Sequence, residues 1–330
     1  MDTPLLDFGR ARIVKGRGLA ITLPLAERLR TARGVPQAIV KVTGFGRGAR
    51  GVADALAYIS REGELPLEKD SGELIQGLKE QKELVKEWSI DFDGRKKSRD
   101  SAQIVFSMPP GPDIEALRRA VRATGARAFP DNEWVFGIHA HDTPHPHAHM
   151  SVKMRGRENG QKLQLRKADL RELRQLFAEA AREQGVELAA SSRAARGVGR
   201  KGIGQAISRL KKKGIRPEVE KQTFEEALRE LVKGDWQEKP WEKAMAERNK
   251  LERETYRQEA AALRQKAEKQ TNETECERMC KDARLLEYFS QSMPNPKTKR
   301  QALKERMWQQ VEKERREKTR AAEREEDMER

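Results

Sequence analysis

Two short stretches, Trp134–His141 and His147–Met154, constrain the fold more than any other part of the chain, because both read as strands and only a few residues separate them. In the first, Phe136 and Ile138 fall on one side and Gly137, His139 and His141 on the other, the two-residue period of a strand with one buried face. Thr143-Pro144 supplies a turn that folds the second strand back on the first. A sheet built around such a pair is antiparallel or mixed, which sets this chain apart from doubly wound nucleotide-binding folds.

The neighbouring segments supply more strands and the helices to cover them. Gln37–Thr43 is β-branched and strand-like and runs into Gly44–Gly51, which reads as a flexible basic loop. In Val52–Ser60 the residues Val52, Ala55, Leu56 and Ile59 recur at helical spacing, while Tyr58 lies off that stripe and is not simple core. A second amphipathic helix is expected over Glu73–Trp88, and a strand over Ser101–Met108 that ends at Pro109-Pro110-Gly111. A helix from about Pro112 buries Ile114, Leu117 and Val121, and one over Ala168–Gln184 buries Leu170, Leu173 and Phe177 before stopping at Gly185. The order gives an α+β domain, its sheet covered by helices on one face.

Composition explains why this domain cannot be the whole chain. Of 330 residues only 36% are hydrophobic and 37% are charged, too polar for one well-buried core. The division expected is a basic arm over 1–35, a compact domain over 36–203, and a charged, extended α-helical region over 204–330. In that last region Thr223-Phe-Glu-Glu226 reads as a capping box opening a short helix. The net charge of +15 suits a phosphate polymer. No run approaches the ~18 apolar residues of a membrane span and MDTPLLDFGR lacks the pattern of a signal peptide, so a cytoplasmic protein is expected. Cys276 and Cys280, four apart in a helical context, read as ordinary helix residues of a reducing compartment.

All five histidines lie between His139 and His149, in the run His-Ala-His-Asp-Thr-Pro-His-Pro-His-Ala-His. His147 and His149, at i and i+2 on a strand, project from one face and can converge on one ion. His139 is the preferred third ligand and His141 the fallback, since both share a face of the preceding strand. Three imidazoles leave positions open for a substrate oxygen, and ligand type alone admits Zn, Mn, Co or Ni. Asp142 is either a partner fixing an imidazole tautomer, a proton acceptor, or a turn-forming residue.

The run His141–His149 resembles the third motif of plasmid relaxases, the mobilisation nucleases of the histidine-hydrophobe-histidine endonuclease superfamily. Ala55-Leu-Ala-Tyr58-Ile-Ser-Arg61-Glu-Gly63 resembles their first motif, in which a tyrosine near a helix end precedes Ser-Arg-x-Gly, as in the T-DNA border endonuclease. The resemblance spans about residues 37–200. It implies a relaxase fold, Tyr58 as nucleophile, His147 and His149 as metal ligands, and His139 or His141 as the third. His139 stands eight residues before His147, the family's spacing, whereas His141 at six is short. The family's second-motif serine has no clear counterpart, Ser71 being the nearest and reading better as a loop residue.

The resemblance further implies Mg²⁺ or Mn²⁺, with Zn²⁺ an alternative, and single-stranded plasmid DNA at a transfer origin as substrate. It also implies accessory mobilisation proteins and a type IV secretion coupling protein as partners, and export of the protein covalently bound to DNA. Basic residues placed to hold a single strand are Arg47, Arg50 and Arg61, then Arg193, Arg196, Arg200 and Lys201. Two other readings stand beside this one: a histidine-triad nucleotide hydrolase, in which a histidine attacks, and a DNA-binding accessory protein without catalysis.

Overall fold

A computed structural model of the chain describes residues 23–95, 98–111, 113–140, 145–198, 205–234 and 238–329. It divides into two compact units, Met1–Ser191 and Ser192–Arg330. The first is an α+β domain around a six-stranded sheet.

In chain order this unit runs α1 (Leu25–Ala32), β1 (Ile39–Gly46), α2 (Gly48–Ile59), β2 (Leu67–Lys69), β3 (Leu74–Ile75), α3 (Gly77–Ser89), β4 (Ser101–Ser107), α4 (Ile114–Ala128), β5 (Trp134–His139), β6 (His147–Lys153) and α5 (Asp169–Glu183). The strands lie in the order β1-β4-β6-β5-β2-β3, and every pairing is antiparallel. The two strands expected to fold back on each other do so, with His139 opposite His147 and Gly137 opposite His149. Their alternation decides what each face carries.

On one face Val40, Ile104, Phe106, Trp134, Phe136, Met150 and Val152 form a core with Leu117 and Val121 of α4 and Leu173 and Phe177 of α5. On the other, Leu67 and Val135 pack with Val52, Leu56 and Ile59 of α2 and Leu84, Val85 and Trp88 of α3. Helices therefore cover both faces, not one as the element order suggested. The amphipathic stripes of α2 and α3 need an apolar surface of their own, and the β5–β2 end of the second face provides it. Because side chains alternate, Val105, Gly137, His139, His147, His149 and Ser151 share this second face.

Several boundaries differ from expectation for identifiable reasons. Gly44–Gly51 is not a loop: Gly44 and Gly46 belong to β1, and α2 starts at Gly48. Gly48 takes a φ of 61°, and its amide donates to Asp100 Oδ2 at 2.8 Å, so a distant carboxylate caps the helix start. The helix expected over Glu73–Trp88 begins only at Gly77, because Leu74–Ile75 pairs with β2. Glu68 of that short β2 is 2% exposed and is held by Arg118 and Arg122 of α4. Helix α1 falls inside the stretch read as a basic arm; its Glu27 accepts from the Ala190 amide at 2.6 Å, and the Ala38 amide donates to the Ala189 carbonyl at 3.0 Å.

The second unit is helical: α6 (Gln205–Lys212), α7 (Glu218–Lys233), α8 (Pro240–Glu268), α9 (Glu273–Ser292) and α10 (Lys299–Glu329). Thr223 opens no helix. Pro217 precedes the first turn of α7, and the Thr223 hydroxyl donates back to the Val219 carbonyl at 2.7 Å, a bond inside the helix. Helices α8 and α9 form an antiparallel pair in which buried Tyr256 packs at a tilt against Phe289 with ring centroids 5.0 Å apart and donates its hydroxyl to the Ala195 carbonyl at 3.0 Å. Nor is the unit only a solvated rod, since Glu242, at 1% exposure, is buried with Arg300 and accepts from Thr298 Oγ1 at 2.6 Å. No described helix is long and apolar enough to cross a membrane.

One close approach positions everything that follows. A methyl group at Gly137 would meet Leu67 Cδ2 at 2.8 Å, Ile59 Cγ2 at 3.0 Å and the Ile59 carbonyl oxygen at 3.1 Å. Glycine is what lets the last residue of α2 lie directly on β5. Gly137→Ala is accordingly expected to lower the unfolding free energy of the domain by about 1–3 kcal/mol, as overpacking does. Denaturant melts check this, and an unchanged midpoint would contradict the close approach.

Candidate active site

The second face of the sheet is packed by α2 and α3 through Leu67 and Val135. Three of the five histidines stand on that face at the paired ends of β5 and β6. His139 comes from the last position of β5, His147 and His149 from the first and third of β6. Ring centroids lie 4.6 Å apart for His139 and His149, 5.0 Å for His147 and His149, and 5.4 Å for His139 and His147. One ring nitrogen from each lies within 4.8 Å of the others.

The hydrogen bonds behind two of these rings fix which nitrogen carries a proton. His139 Nε2 lies 2.8 Å from the Ile59 carbonyl oxygen, and a carbonyl can only accept, so Nε2 is the protonated nitrogen and Nδ1 carries the lone pair. His147 Nδ1 lies 3.0 Å from the His145 carbonyl oxygen, and by the same argument its lone pair is on Nε2. Burial first, and then the neighbouring His139 and His147, push the pKa of His149 down to about 3. That ring stays neutral at any physiological pH, as a metal ligand must be. Three clustered imidazoles, two of them oriented by backbone carbonyls, form a donor set that fits one divalent ion.

Tyr58 stands beside them. Val52, Leu56 and Ile59 of α2 are buried in the second core, and Tyr58, off that stripe, is turned out with 56% exposure. Its ring meets His149 edge-on at a centroid distance of 5.4 Å and lies 6.3 Å from His139. A phenol exposed to solvent next to three metal-competent rings can reach a ligand held by them. In the second unit, Tyr256 is fully buried and its hydroxyl is committed, while Tyr288 is 70% exposed on α9.

The remaining expected residues divide. Arg61 stands three residues after Tyr58 and is half-buried in the turn that follows α2. Arg47 and Arg50 are exposed at the opposite end of that helix, about 16 Å and about 12 Å from Tyr58 along its axis at ~1.5 Å per residue, so the structure does not bring them to the histidines. Arg193 and Arg196 belong to the second unit. His141, the fallback ligand, Asp142, and the basic pair Arg200 and Lys201 lie outside the described residues. Ser71 is exposed in the turn between β2 and β3, where its Oγ is 3.4 Å from the Glu73 amide, an ordinary turn role. Cys276 and Cys280 are free thiols on α9, and among the described residues they join no group of metal-competent side chains.

One participant was invisible in sequence. The partner that sets the His139 tautomer is the backbone carbonyl of Ile59, and no residue type marks a carbonyl.

The family model described as "Relaxase: MobA/VirD2-like, nuclease domain" matches residues 58–186, a span that begins on Tyr58 and includes all the histidines. No curated protein sequence matches this chain. A solved structure described as "Molecular Basis of Vancomycin Resistance Transfer in Staphylococcus aureus" is similar at 15% identity with a TM-score of 0.34, over 47% of this chain and 99% of that one. Tyr58 and the third-motif histidines read from sequence fall within the family match, and residues 58–186 of this chain are similar to the MobA/VirD2-like relaxase nuclease domain.

Proposed function

We propose that this protein is a mobilisation relaxase that nicks one strand of plasmid DNA at a transfer origin with Tyr58 as nucleophile and rejoins it after transfer. The observation that carries the reading is the exposed Tyr58 ring 5.4 Å from His149, at the edge of three clustered imidazoles. The family match supports a DNA-nicking nuclease in general terms, and relaxases bind single-stranded DNA and use a divalent ion. Tyrosine chemistry, the identity of the ion and the partners are the finer proposal.

His139, His147 and His149 would hold the ion. What Mg²⁺ or Mn²⁺ supplies there is charge neutralisation at the non-bridging oxygens of a scissile phosphate. The chain's own residues do the rest. The Tyr58 Oη bonds to phosphorus, the bond from phosphorus to the 3′-oxygen breaks, and the strand is left as a 5′-phosphotyrosyl end and a 3′-hydroxyl. The phenol proton must leave, since a phenol of pKa near ~10 is protonated at neutral pH, and the 3′-oxygen must gain one; Asp142 is the acceptor proposed. The phosphodiester is exchanged and not hydrolysed, so the reverse attack by a 3′-hydroxyl reseals the strand without ATP. Arg61, three residues after Tyr58, is proposed to meet the backbone of the bound strand.

Tyr58 is 56% exposed beside His149, whereas His139 and His149 are 7% and 9% exposed, which favours the phenol over these two rings as nucleophile. The helical second unit is proposed to meet accessory mobilisation proteins or a secretion coupling protein, and the nicking reaction to take place in the cytoplasm.

Two outcomes are expected. With Mg²⁺ or Mn²⁺ and end-labelled single-stranded oligonucleotides spanning a transfer origin, the wild type forms a denaturant-stable protein–DNA adduct. Tyr58→Phe and EDTA each abolish it, and an adduct that survives Tyr58→Phe would exclude this nucleophile. By calorimetric titration with Mn²⁺ the wild type binds one ion per chain. His149→Ala weakens binding by more than ~100-fold, beyond the ~10–100-fold cost of removing a partner behind a ligand; unchanged affinity would place the ion elsewhere.

A further inference from the structure

The segment after Tyr58 has an unusual backbone. Arg61, Glu62 and Gly63 take φ values of 52°, 58° and 89°, three consecutive left-handed residues of which only one is glycine. In a continued helix the Gly63 amide would donate to the Ile59 carbonyl four residues earlier. Instead it donates to Ser60 Oγ at 3.0 Å, while the Glu62 amide reaches back to the Ala57 carbonyl at 2.8 Å and the Leu65 amide to the Ser60 carbonyl at 2.8 Å. The Ile59 carbonyl is thereby left to the ring nitrogen of His139.

We propose that Ser60 is a positioning residue of the histidine centre: by capturing the Gly63 amide it diverts the end of α2, delivers the Ile59 carbonyl to His139 Nε2, and so holds the His139 lone pair on Nδ1 for the ion. The inference rests on the reading that the three rings hold a metal. Ser60 is built for this task. It is fully buried, its Oγ lies 3.1 Å from the Ala57 carbonyl oxygen, which can only accept the single hydroxyl proton, and 3.1 Å from the side-chain amide of Gln81. That directs an oxygen lone pair toward the Gly63 amide. Gln81, 3% exposed on α3, ties the device to the neighbouring helix. Gly63 has little freedom to move aside, since a side chain there would meet the Leu78 amide nitrogen at 3.0 Å and Gly77 Cα at 3.2 Å. The same turn keeps Tyr58 in the last helical turn beside His149.

The test reads the tautomer and the ion, not activity. Nitrogen-15 NMR of the metal-free wild type is expected to find His139 protonated on Nε2; a proton on Nδ1 overturns the inference without any variant. Ser60→Ala is expected to lose that signature and to bind Mn²⁺ ~10–100-fold more weakly, the usual cost of removing a partner behind a metal ligand. Ser60→Thr, which keeps the hydroxyl, restores both. A destabilised control on the far face, Leu176→Ala, lowers the melting temperature but moves neither readout, which separates positioning from general stability. A wild type that binds no ion overturns the histidine-centre reading and this inference with it. A wild type that binds while Ser60→Ala binds equally well overturns the inference alone.

Discussion

The pairing register of β5 and β6 is the constraint on which the candidate site depends. With His139 opposite His147 and Gly137 opposite His149, the three rings stand on one face and the large apolar side chains Phe136, Met150 and Val152 on the other. A slip of one residue would turn the imidazoles into the apolar α4–α5 core and move Phe136 or Met150 out of it. Losing those apolar contacts and enclosing imidazoles among carbon both cost free energy, so the same alternation that stabilises the domain also gathers the histidines. Gly137 adds the second half of the constraint: without a side chain opposite His149, α2 closes onto the strand and brings Tyr58 and the Ile59 carbonyl to the rings.

This division of labour explains what could be read from sequence. The two strands carrying the histidines, the apolar faces of α4 and α5, and the outward position of Tyr58 all follow from periodicity, and periodicity is a property of side chains in order along the chain. The start of α2 was misread because its cap comes from Asp100, which is close only after β1 and β4 have paired. The hairpin Leu67–Ile75 escaped notice because it is short and carries Glu68 and Lys69, whose charges argue for a loop until Arg118 and Arg122 are brought to Glu68 by the fold. Thr223-Phe-Glu-Glu226 has the pattern of a capping box, yet Pro217 starts the helix earlier and turns the threonine into an interior residue. In the first two cases a contact distant in sequence overrode a local signal, and in the third a stronger local one, the proline, did so.

In the second unit a highly charged sequence still folds on itself. Buried Arg300 and Lys304 meet Glu242 and Glu230, and Tyr256 is enclosed between α8, α9 and the turn Ala194–Arg196. Breaking such a pair strands a charge in a dry environment, so these groups specify the packing of helices whose apolar surface alone is sparse. The same feature removes Tyr256 from consideration as a nucleophile, because its hydroxyl is spent on a backbone carbonyl.

The central claim is that the strand becomes bonded to Tyr58. Its most direct test is tandem mass spectrometry of the trypsin-digested adduct formed with a short single-stranded oligonucleotide in the presence of Mn²⁺. The account predicts the nucleotide phosphate on the peptide ending at Arg61, with fragment ions placing it on Tyr58. A phosphate found on a histidine of the 139–149 run, or on Tyr288, would contradict it.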